Sequence, residues 1–173
     1  MTNSKKIQDI QTLEQRFAYM FRGPSISIDF FRGWFPDFVD LCFELDAMLK
    51  DYKSYFRWVQ IKEKFGGYRM YFSLQPENFN EDFDDEEVVL PDDFVRIRAQ
   101  AQRLVSLAAL RIDDKCCVCG EFAVVDRHGA WLSTLCNFHL PAARAARGDA
   151  RPLYELTAVP ATPRDIEIWR GAS

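Results

Sequence analysis

The apolar positions of the first third of the chain predict two amphipathic helices. In the first, apolar residues recur three or four positions apart up to Gly23-Pro24, where the helix is expected to end. They are Ile7, Ile10, Leu13, Phe17, Met20 and Phe21. In the second, a longer stripe forms one face, and Pro36 fits its first turn. The stripe consists of Trp34, Phe38, Leu41, Leu45, Met48 and Tyr52.

The next stretch, "YFRWVQIKEKFGGYRMYFSL" at residues 55–74, predicts a β-hairpin with Gly66-Gly67 as its turn. Such a turn places one apolar set on a single face: Val59, Ile61, Phe65, Tyr68, Met70 and Phe72. The opposite face then carries Lys62, Lys64 and Arg69. Glu63 is the exception on the apolar face. The simplest interpretation is a carboxylate paired with an arginine or placed near the rim, and a functional acid or base is the alternative.

A third helix is predicted to begin at "PDDF", residues 91–94, with Asp92 or Asp93 as its cap. Its expected buried stripe is Phe94, Ile97, Ala101, Leu104, Ala108 and Ile112. Beyond residue 151, "PLYEL" and "DIEIW" predict one or two short strands or an extended arm. Together these elements predict an α+β fold, in which amphipathic helices pack on a β-hairpin or small antiparallel sheet.

Two short cysteine and histidine pairs follow the third helix. Cys116-x2-Cys119 precedes a glycine, and 16 intervening residues separate this pair from Cys136-x2-His139. Three thiolates and one imidazole at this spacing match a tetrahedral zinc site. Two short strands are predicted between the pairs, and a helix that carries the second pair in its first turn and ends at Gly148. This order predicts a treble-clef-like zinc module at the C-terminal end of the fold.

The zinc site is expected to be structural, because four protein ligands leave no open position for catalysis. Cys117 stands between two ligands and is a spare thiol, since only Cys116 and Cys119 have the x2 spacing. A redox Cys-x-x-Cys is the alternative, but its βαβ context is missing. The chain is therefore divided into an α+β domain at 1–112, a zinc module at 113–150 and a C-terminal extended arm at 151–173.

The composition bears on membrane association, cellular location and disulfide bonds. The chain has 173 residues, 48% of them hydrophobic, and no apolar run of the length of a membrane span. Its N-terminal residues are too polar for a signal peptide, which predicts a cytoplasmic protein. Five cysteines are an odd number, so a complete intramolecular disulfide framework is excluded.

The net charge of −4 conceals one strongly acidic segment. Residues 76–93 hold nine acidic side chains and no Lys or Arg, and the rest of the chain has 17 acids against 22 bases. Acidic residues interleaved with phenylalanines offer charge for steering and rings for anchoring a protein partner. The predicted partner-binding residues are Phe79, Glu81, Asp82, Phe83, Asp84, Asp85, Glu86 and Glu87. A solvated loop is the alternative interpretation.

Two stretches carry a resemblance to known sequences: "IKEKFGGYRMYF" and "CCVCG…WLSTLCNFH". Together they resemble a loosely defined group of small uncharacterised bacterial and prophage-associated proteins. In this group a KEKFGG hairpin precedes a CxxCG and CxxH module. The match runs in order over residues 34–139. It implies a zinc-holding module on an α+β domain and a setting of phage or inter-bacterial conflict, and it transfers no catalytic residue.

These observations favour a non-enzymatic macromolecule-binding protein with a structural zinc ion, because no nucleophile stands near an evident base and no Gly-rich phosphate loop is present. The expected role is that of an immunity protein or inhibitor. Its partner would be a protein, such as a toxin or defence enzyme with a basic surface. The alternative is a nucleic-acid-binding regulator that uses the zinc module through Arg144, Arg147 and Arg151. The module is nearly balanced in charge, so nucleic acid is the less favoured partner, and no membrane association is expected.

Overall fold

The computed structural model describes residues 7–23, 26, 28–75, 93–128 and 131–166. They form a mixed helical and β structure, which confirms the predicted α+β class. The helices are α1 (Ile10–Arg16), α2 (Phe35–Leu49), α3 (Phe94–Ile112), α4 (Pro141–Ala146) and α5 (Leu153–Thr157). The strands are β1 (Ile28–Asp29), β2 (Phe56–Lys64), β3 (Gly67–Leu74), β4 (Val124–His128) and β5 (Trp131–Leu135).

The predicted first helix is divided into two pieces. Asp9 caps α1, because its carboxylate accepts a hydrogen bond of 2.8 Å from the Thr12 backbone N–H. At Phe17 the backbone leaves the helical region (φ −125°, ψ 45°), and a 3₁₀ segment, Ala18–Phe21, follows. Leu13, Phe17 and Met20 are nevertheless fully buried, so the apolar pattern predicted the packing of this segment better than its regularity.

Strands β1, β2 and β3 form one sheet in that order, with β1 parallel and β3 antiparallel to β2. A β-bulge lies at Val59, where the register shifts between Trp58 and Gln60. Because the bulge adds one residue, Trp58 and Ile61 both point to the inner face and Val59 is 48% exposed. The prediction that Val59 lies on the buried face was therefore wrong.

The hairpin turn is Phe65-Gly66, one residue before the predicted Gly66-Gly67. Lys64 pairs with Gly67, and both turn residues have positive φ (58° and 75°), as a two-residue type I′ turn requires. Phe65 is consequently 70% exposed instead of buried. Glu63 is half-buried opposite Tyr68, and its carboxylate accepts a 2.7 Å hydrogen bond from the Gly66 backbone N–H. This bond closes the turn and supports the structural interpretation of Glu63.

The inner face of the sheet is covered by α2 and α3, and aromatic rings fill the space between the layers. Phe38 of α2 lies 5.4 Å from Trp58 between ring centroids, and Trp34 lies 6.0 Å from Tyr68. The predicted stripe of α3 is buried except at Leu104, which is half-buried; Val105 is buried beside it. The predicted cap residue Asp93 makes no cap bond with its side chain.

The C-terminal part differs from its prediction. "PLYEL" was predicted as a strand or extended arm, but Leu153–Thr157 forms the short helix α5. The segment after it packs on the N-terminal helix, because the Ile10 N–H donates to the Pro160 carbonyl at 3.0 Å and the Gln11 N–H to the Ala161 carbonyl at 2.9 Å. Within the part of the chain that the structure describes, no helix combines the length and apolarity needed to cross a membrane.

Candidate metal centre

The first cysteine pair lies in a tight turn between α3 and β4. The Gly120 N–H donates to the Cys116 carbonyl at 2.9 Å, and the Cys116 N–H donates to the Glu121 carbonyl at 2.7 Å. Gly120 has φ +78°, a conformation that glycine adopts without strain. This closed turn directs both the Cys116 and the Cys119 side chains toward the same point.

The second pair begins directly after β5, the second strand of the β4–β5 hairpin. The His139 N–H donates to the Cys136 carbonyl at 2.8 Å, so Cys136 and His139 are held in a single turn. The helix α4 starts only at Pro141 and ends at Ala146. The two ligands therefore precede the helix, although they were predicted in its first turn. The order of the Cys116–Gly120 turn (hereafter the knuckle), the β4–β5 hairpin and the helix is as predicted.

The four candidate ligands converge. The ligand atoms of Cys116, Cys119, Cys136 and His139 all lie within 4.8 Å of one another. A tetrahedral zinc ion separates two sulfur ligands by about 3.8 Å, and a sulfur from a nitrogen by about 3.6 Å, as follows from Zn–S and Zn–N bonds of about 2.3 and 2.0–2.1 Å. The Cys119 and Cys136 sulfurs are 3.8 Å apart.

The imidazole completes the same arrangement. The Nδ1 atom of His139 is 3.6 Å from the Cys116 sulfur and 3.3 Å from the Cys136 sulfur. These separations fit the edges of a tetrahedron, so the residues present can hold one metal ion with three sulfurs and Nδ1 of His139. All five cysteines of the chain are free of disulfide bonds, in agreement with the sequence.

Hydrogen bonding and burial shift the thiol pKa values of Cys116, Cys117 and Cys119 in different directions. A hydrogen bond from the Cys117 side chain lowers the pKa of Cys116 to about 3, which favours its thiolate. The same hydrogen bond, with burial, raises the pKa of Cys117 well above its ordinary value. Desolvation raises the pKa of Cys119 to about 12, and the nearby Cys116 charge adds to this effect. The two shifts favour a thiolate at Cys116 and a protonated thiol at Cys117.

The metal centre contacts the part of the fold formed by α1–α3 and the β1–β3 sheet, hereafter the main domain. The contact is made by the backbone of Gly33, in the 3₁₀ segment Arg32–Trp34 that precedes α2. The Gly33 N–H donates to the Cys117 carbonyl at 2.9 Å. A Cβ atom on Gly33 would lie 2.1 Å from the Cys116 carbonyl oxygen and 2.8 Å from the Gly120 nitrogen. No side chain other than hydrogen fits at this position, so the knuckle rests directly on the 3₁₀ backbone.

Two side-chain contacts strengthen the same attachment. The Trp34 indole Nε1 donates to the Lys115 carbonyl at 2.8 Å, one residue before the first ligand. The Lys115 ammonium lies 2.6 Å from the Asp37 carboxylate in the first turn of α2. At the far end of the module, the Thr134 hydroxyl donates to the Gly66 carbonyl in the hairpin turn at 3.1 Å. The module is thus fixed to both the helical layer and the sheet.

Three arginines at the C-terminal end of the module and just beyond it have partners close by. Arg144 is buried and pairs with Asp149 at 3.3 Å, and it also donates to the Arg151 carbonyl. Arg151 pairs with the other carboxylate oxygen of Asp149 at 3.0 Å. Arg147 donates to the Phe138 carbonyl at 2.7 Å and lies 3.6 Å above the Phe138 ring. These contacts hold the guanidinium groups against the protein.

Sequence reasoning identified the four ligands but missed the residues that seat them. Gly33 and Trp34 stand more than 80 positions before the ligands, and "FRGWFP" indicates only a glycine among aromatic residues. The predicted partner-binding residues lie outside the described residues: Phe79, Glu81, Asp82, Phe83, Asp84, Asp85, Glu86 and Glu87. Cys42 is fully buried in α2, where burial raises its thiol pKa, as expected of a small core residue.

Comparison with known proteins gave no relative for this arrangement: no family model, no curated protein and no solved structure matches the chain.

Proposed function

We propose that the metal held by Cys116, Cys119, Cys136 and His139 is zinc and that its role is structural. Three thiolates and one imidazole suit zinc, and four protein ligands leave no position for a substrate or a reactive water. The fit of the ligand separations to a tetrahedron supports the assignment. The ion would then contribute free energy to the folding of a module that is tied to Gly33 and Trp34.

The test is metal analysis of purified variants. Replacing Cys119 or His139 with alanine is expected to abolish stoichiometric zinc, because three remaining ligands bind the ion much more weakly. Cys117→Ala is the matched control, since it removes a neighbouring thiol but no ligand, and it should retain one zinc per chain. Full zinc retention by both ligand variants would refute the ligand set.

We infer that the protein acts by binding another macromolecule and not by catalysis, as an immunity protein or inhibitor whose partner is a protein with a basic surface. The resemblance to prophage-associated proteins supports a bacterial or phage setting. The observation that carries the proposal is the acidic run of residues 76–93, which has nine acids and no base. A dense charge of one sign accelerates the encounter with a partner of the opposite sign.

The described residues on both sides of this run support the proposal. The Gln75 N–H donates to the Tyr55 carbonyl at 2.9 Å, and the Tyr52 hydroxyl donates to the Asp93 carboxylate. Tyr52 and Tyr55 belong to one 3₁₀ segment, Lys50–Tyr55, and their ring centroids are 6.0 Å apart. Gln75 and Asp93, the described residues at the two ends of the run, therefore both bond to the same 3₁₀ segment of the main domain.

The remaining described residues do not suggest a catalytic centre. Within the described ranges, only the Cys116 cluster brings three or more His, Cys, Asp or Glu ligand atoms together. The strongly shifted tyrosine and cysteine pKa values elsewhere belong to the buried Cys42 and Tyr68 and to the half-buried Tyr19, which bonds to Asp46. A cytoplasmic location is part of this proposal, because the ligand thiols must stay reduced to hold the ion.

The proposal is tested with the purified product of the adjacent gene. The variant neutralises Asp82, Asp84, Asp85, Glu86 and Glu87 as their amides, and affinity and association rate are measured by surface plasmon resonance. We expect the affinity to fall at least tenfold, with most of the loss in the association rate at low salt. The control neutralises five exposed acids elsewhere: Glu14, Asp40, Asp51, Glu121 and Glu155. Equal binding by the wild type and the first variant would contradict the role of the acidic run.

The nucleic-acid alternative on the zinc module is the weaker one. It depends on Arg144, Arg147 and Arg151, which already bond to Asp149, to Phe138 or to a backbone carbonyl. To contact phosphates, these side chains would have to leave those partners. No shift of a DNA or RNA probe at low salt with the wild type, or an unchanged shift with Arg147→Gln, would remove this alternative.

A further inference from the structure

The face of the β2–β3 hairpin opposite to the core is basic. Its cross-strand pairs are Arg57 with Ser73, Gln60 with Tyr71, Lys62 with Arg69, and Lys64 with Gly67. The bulge residue Val59 adds its side chain to this outer face. Four cations therefore stand on one surface of a chain whose net charge is −4.

These cations have no acidic partner among the described residues. Asp29 on β1 is the register partner of Lys62, and the Asp113 carboxylate lies beside Gly67, but neither is joined to these cations by a salt bridge. Lys64 lies 5.1 Å from the ring of Phe65, and Arg69 makes only a long contact of 3.5 Å with the Tyr68 carbonyl. Lys64 and Arg69 are exposed and Arg57 and Lys62 half-buried, so the basic groups of this face can reach a ligand without leaving an ion pair, in contrast to Arg144 and Arg151.

The pairing of Lys62 with Arg69 costs stability. Like charges placed directly opposite on neighbouring strands repel and destabilise a sheet. A bound polyanion reverses this repulsion because its phosphates lie between the two cations. The Lys62–Arg69 pair therefore does not help the sheet to fold, whereas binding of an anionic ligand would give the pair a role.

An exposed ring stands in the middle of the same surface. Tyr71 is 51% exposed, and it lies two positions along β3 from Arg69 on the same face. Exposed aromatic rings flanked by basic side chains are the platforms on which single-stranded bases stack. An exposed ring between cations suits a single strand, whose bases can stack on it while its phosphates meet the cations, better than an acidic peptide, which offers charge alone.

We propose that the outer face of β2 and β3 binds single-stranded nucleic acid. Lys62, Lys64, Arg69 and Arg57 contact phosphates, and the ring of Tyr71 stacks on a base. None of these residues belongs to the acidic run or to the metal ligands, and the proposal does not rest on the proposed protein partner. With up to four phosphate contacts, binding is expected to be modest and to weaken with salt, with a slope of log affinity against log salt of about −2 to −3.

The test uses the full-length, zinc-loaded protein and a fluorescently labelled oligothymidylate, with anisotropy measured over a salt series. Arg69→Glu is expected to weaken binding about tenfold or more at low salt. It should also leave the melting temperature unchanged or raise it, because it places opposite charges across the strands. A purely structural role for Arg69 predicts the opposite pair of results. Tyr71→Ala is expected to weaken binding about fivefold or more, whereas Tyr71→Phe retains it.

The matched control is Arg98→Glu, the same charge reversal at an exposed position of α3. It should change the affinity far less than Arg69→Glu. Equal losses in both variants would overturn the proposal, because they would indicate a general effect of net charge. Absence of binding at low salt would overturn it too. Competition by polyglutamate as strong as that by unlabelled oligothymidylate would overturn it in favour of an acidic protein ligand.

Discussion

Gly33 and Gly120 meet backbone to backbone, although 87 positions separate them in the sequence. A Cβ atom on Gly120 would lie 2.7 Å from the Gly33 carbonyl oxygen, and one on Gly33 would lie 2.8 Å from the Gly120 nitrogen. The metal-binding knuckle therefore rests on the segment that starts α2. Because α2 covers the inner face of the sheet, metal binding and the folding of the main domain are expected to be coupled.

Gly33→Ala is expected to separate the knuckle from the main domain. The added methyl group would contact backbone atoms, which do not rotate away, so we expect a loss of about 1–3 kcal/mol in the free energy of unfolding. Metal affinity should fall together with stability. Urea unfolding of the zinc-loaded protein and competition with a chromophoric chelator measure the two effects.

The control for this variant is Gly67→Ala, at the start of β3. A Cβ atom there would meet its nearest neighbour, the Asp113 carboxylate, at an ordinary 3.6 Å. We expect a change within about 0.5 kcal/mol and unchanged metal affinity. Gly33→Ala as stable as Gly67→Ala would contradict the close contact.

The ion pair between Asp37 and Lys115 is expected to couple α2 to the metal site. Its atoms are 2.6 Å apart and the Asp37 side chain is 13% exposed, so a double-mutant cycle with Asp37→Asn and Lys115→Gln should yield a coupling of about 0.5–1 kcal/mol. Chelator competition should show part of this coupling in zinc affinity, since Lys115 adjoins Cys116.

The pair of Glu44 and Arg111 is the appropriate comparison. It joins α2 to α3 at 2.9 Å and has no contact with the metal module. Its neutralisation should lower stability by about 0.2–1 kcal/mol and leave zinc affinity unchanged. If neutralising the Glu44–Arg111 pair changes zinc affinity as much as neutralising the Asp37–Lys115 pair does, then the contact of Asp37 with the module is not the cause of the change.

Glu63 is expected to act as the acceptor that closes the hairpin turn. Glu63→Ala leaves the Gly66 N–H without its partner and should cost about 0.5–1.5 kcal/mol in urea unfolding. Glu63→Gln retains an acceptor oxygen and should cost less than half as much. If the glutamine variant is as unstable as the alanine variant, the negative charge and not the hydrogen bond is what matters.

Zinc affinity is expected to rise with pH. The pKa of Cys119 is raised to about 12 in the metal-free protein, so its thiol is protonated at neutral pH and must lose that proton to bind the ion. Cys116, with its pKa lowered to about 3, is already a thiolate. At least one proton is therefore released on binding, and the affinity should fall at least tenfold for each unit of pH lost between 8 and 6. Calorimetry in buffers of different ionisation enthalpy counts the protons released on binding. A count of zero would contradict the prediction that Cys119 loses a proton when the ion binds.

Local patterns predicted much of this structure because local physics determines it. The apolar stripe from Trp34 to Tyr52 predicts a helix, which the structure forms from Phe35 to Leu49, and the x2 spacings predict the candidate metal ligands. The bulge at Val59 was not predictable, because the strand alternation contains no sign of an inserted residue. The turn moved to Phe65-Gly66 for a related reason: the cross-strand register, and not the Gly-Gly pair alone, sets the loop.

The features that the sequence did not predict depend on contacts between distant parts of the chain. The seat of the knuckle on Gly33 joins segments that only the folded chain brings together, and no local pattern indicates it. The basic outer face of the hairpin was visible as Lys62, Lys64 and Arg69. Its significance depends on which charges find partners, and the sequence does not contain that information.

The central claim is that one zinc ion, bound by three sulfurs and one imidazole, holds the C-terminal module on the α+β domain. X-ray absorption at the zinc edge of the purified protein tests it most directly. We expect one zinc per chain, three sulfur neighbours at about 2.3 Å, one nitrogen at about 2.0–2.1 Å and no bound water. A chain without stoichiometric zinc, or a zinc ion with an oxygen ligand in place of a sulfur, would contradict it.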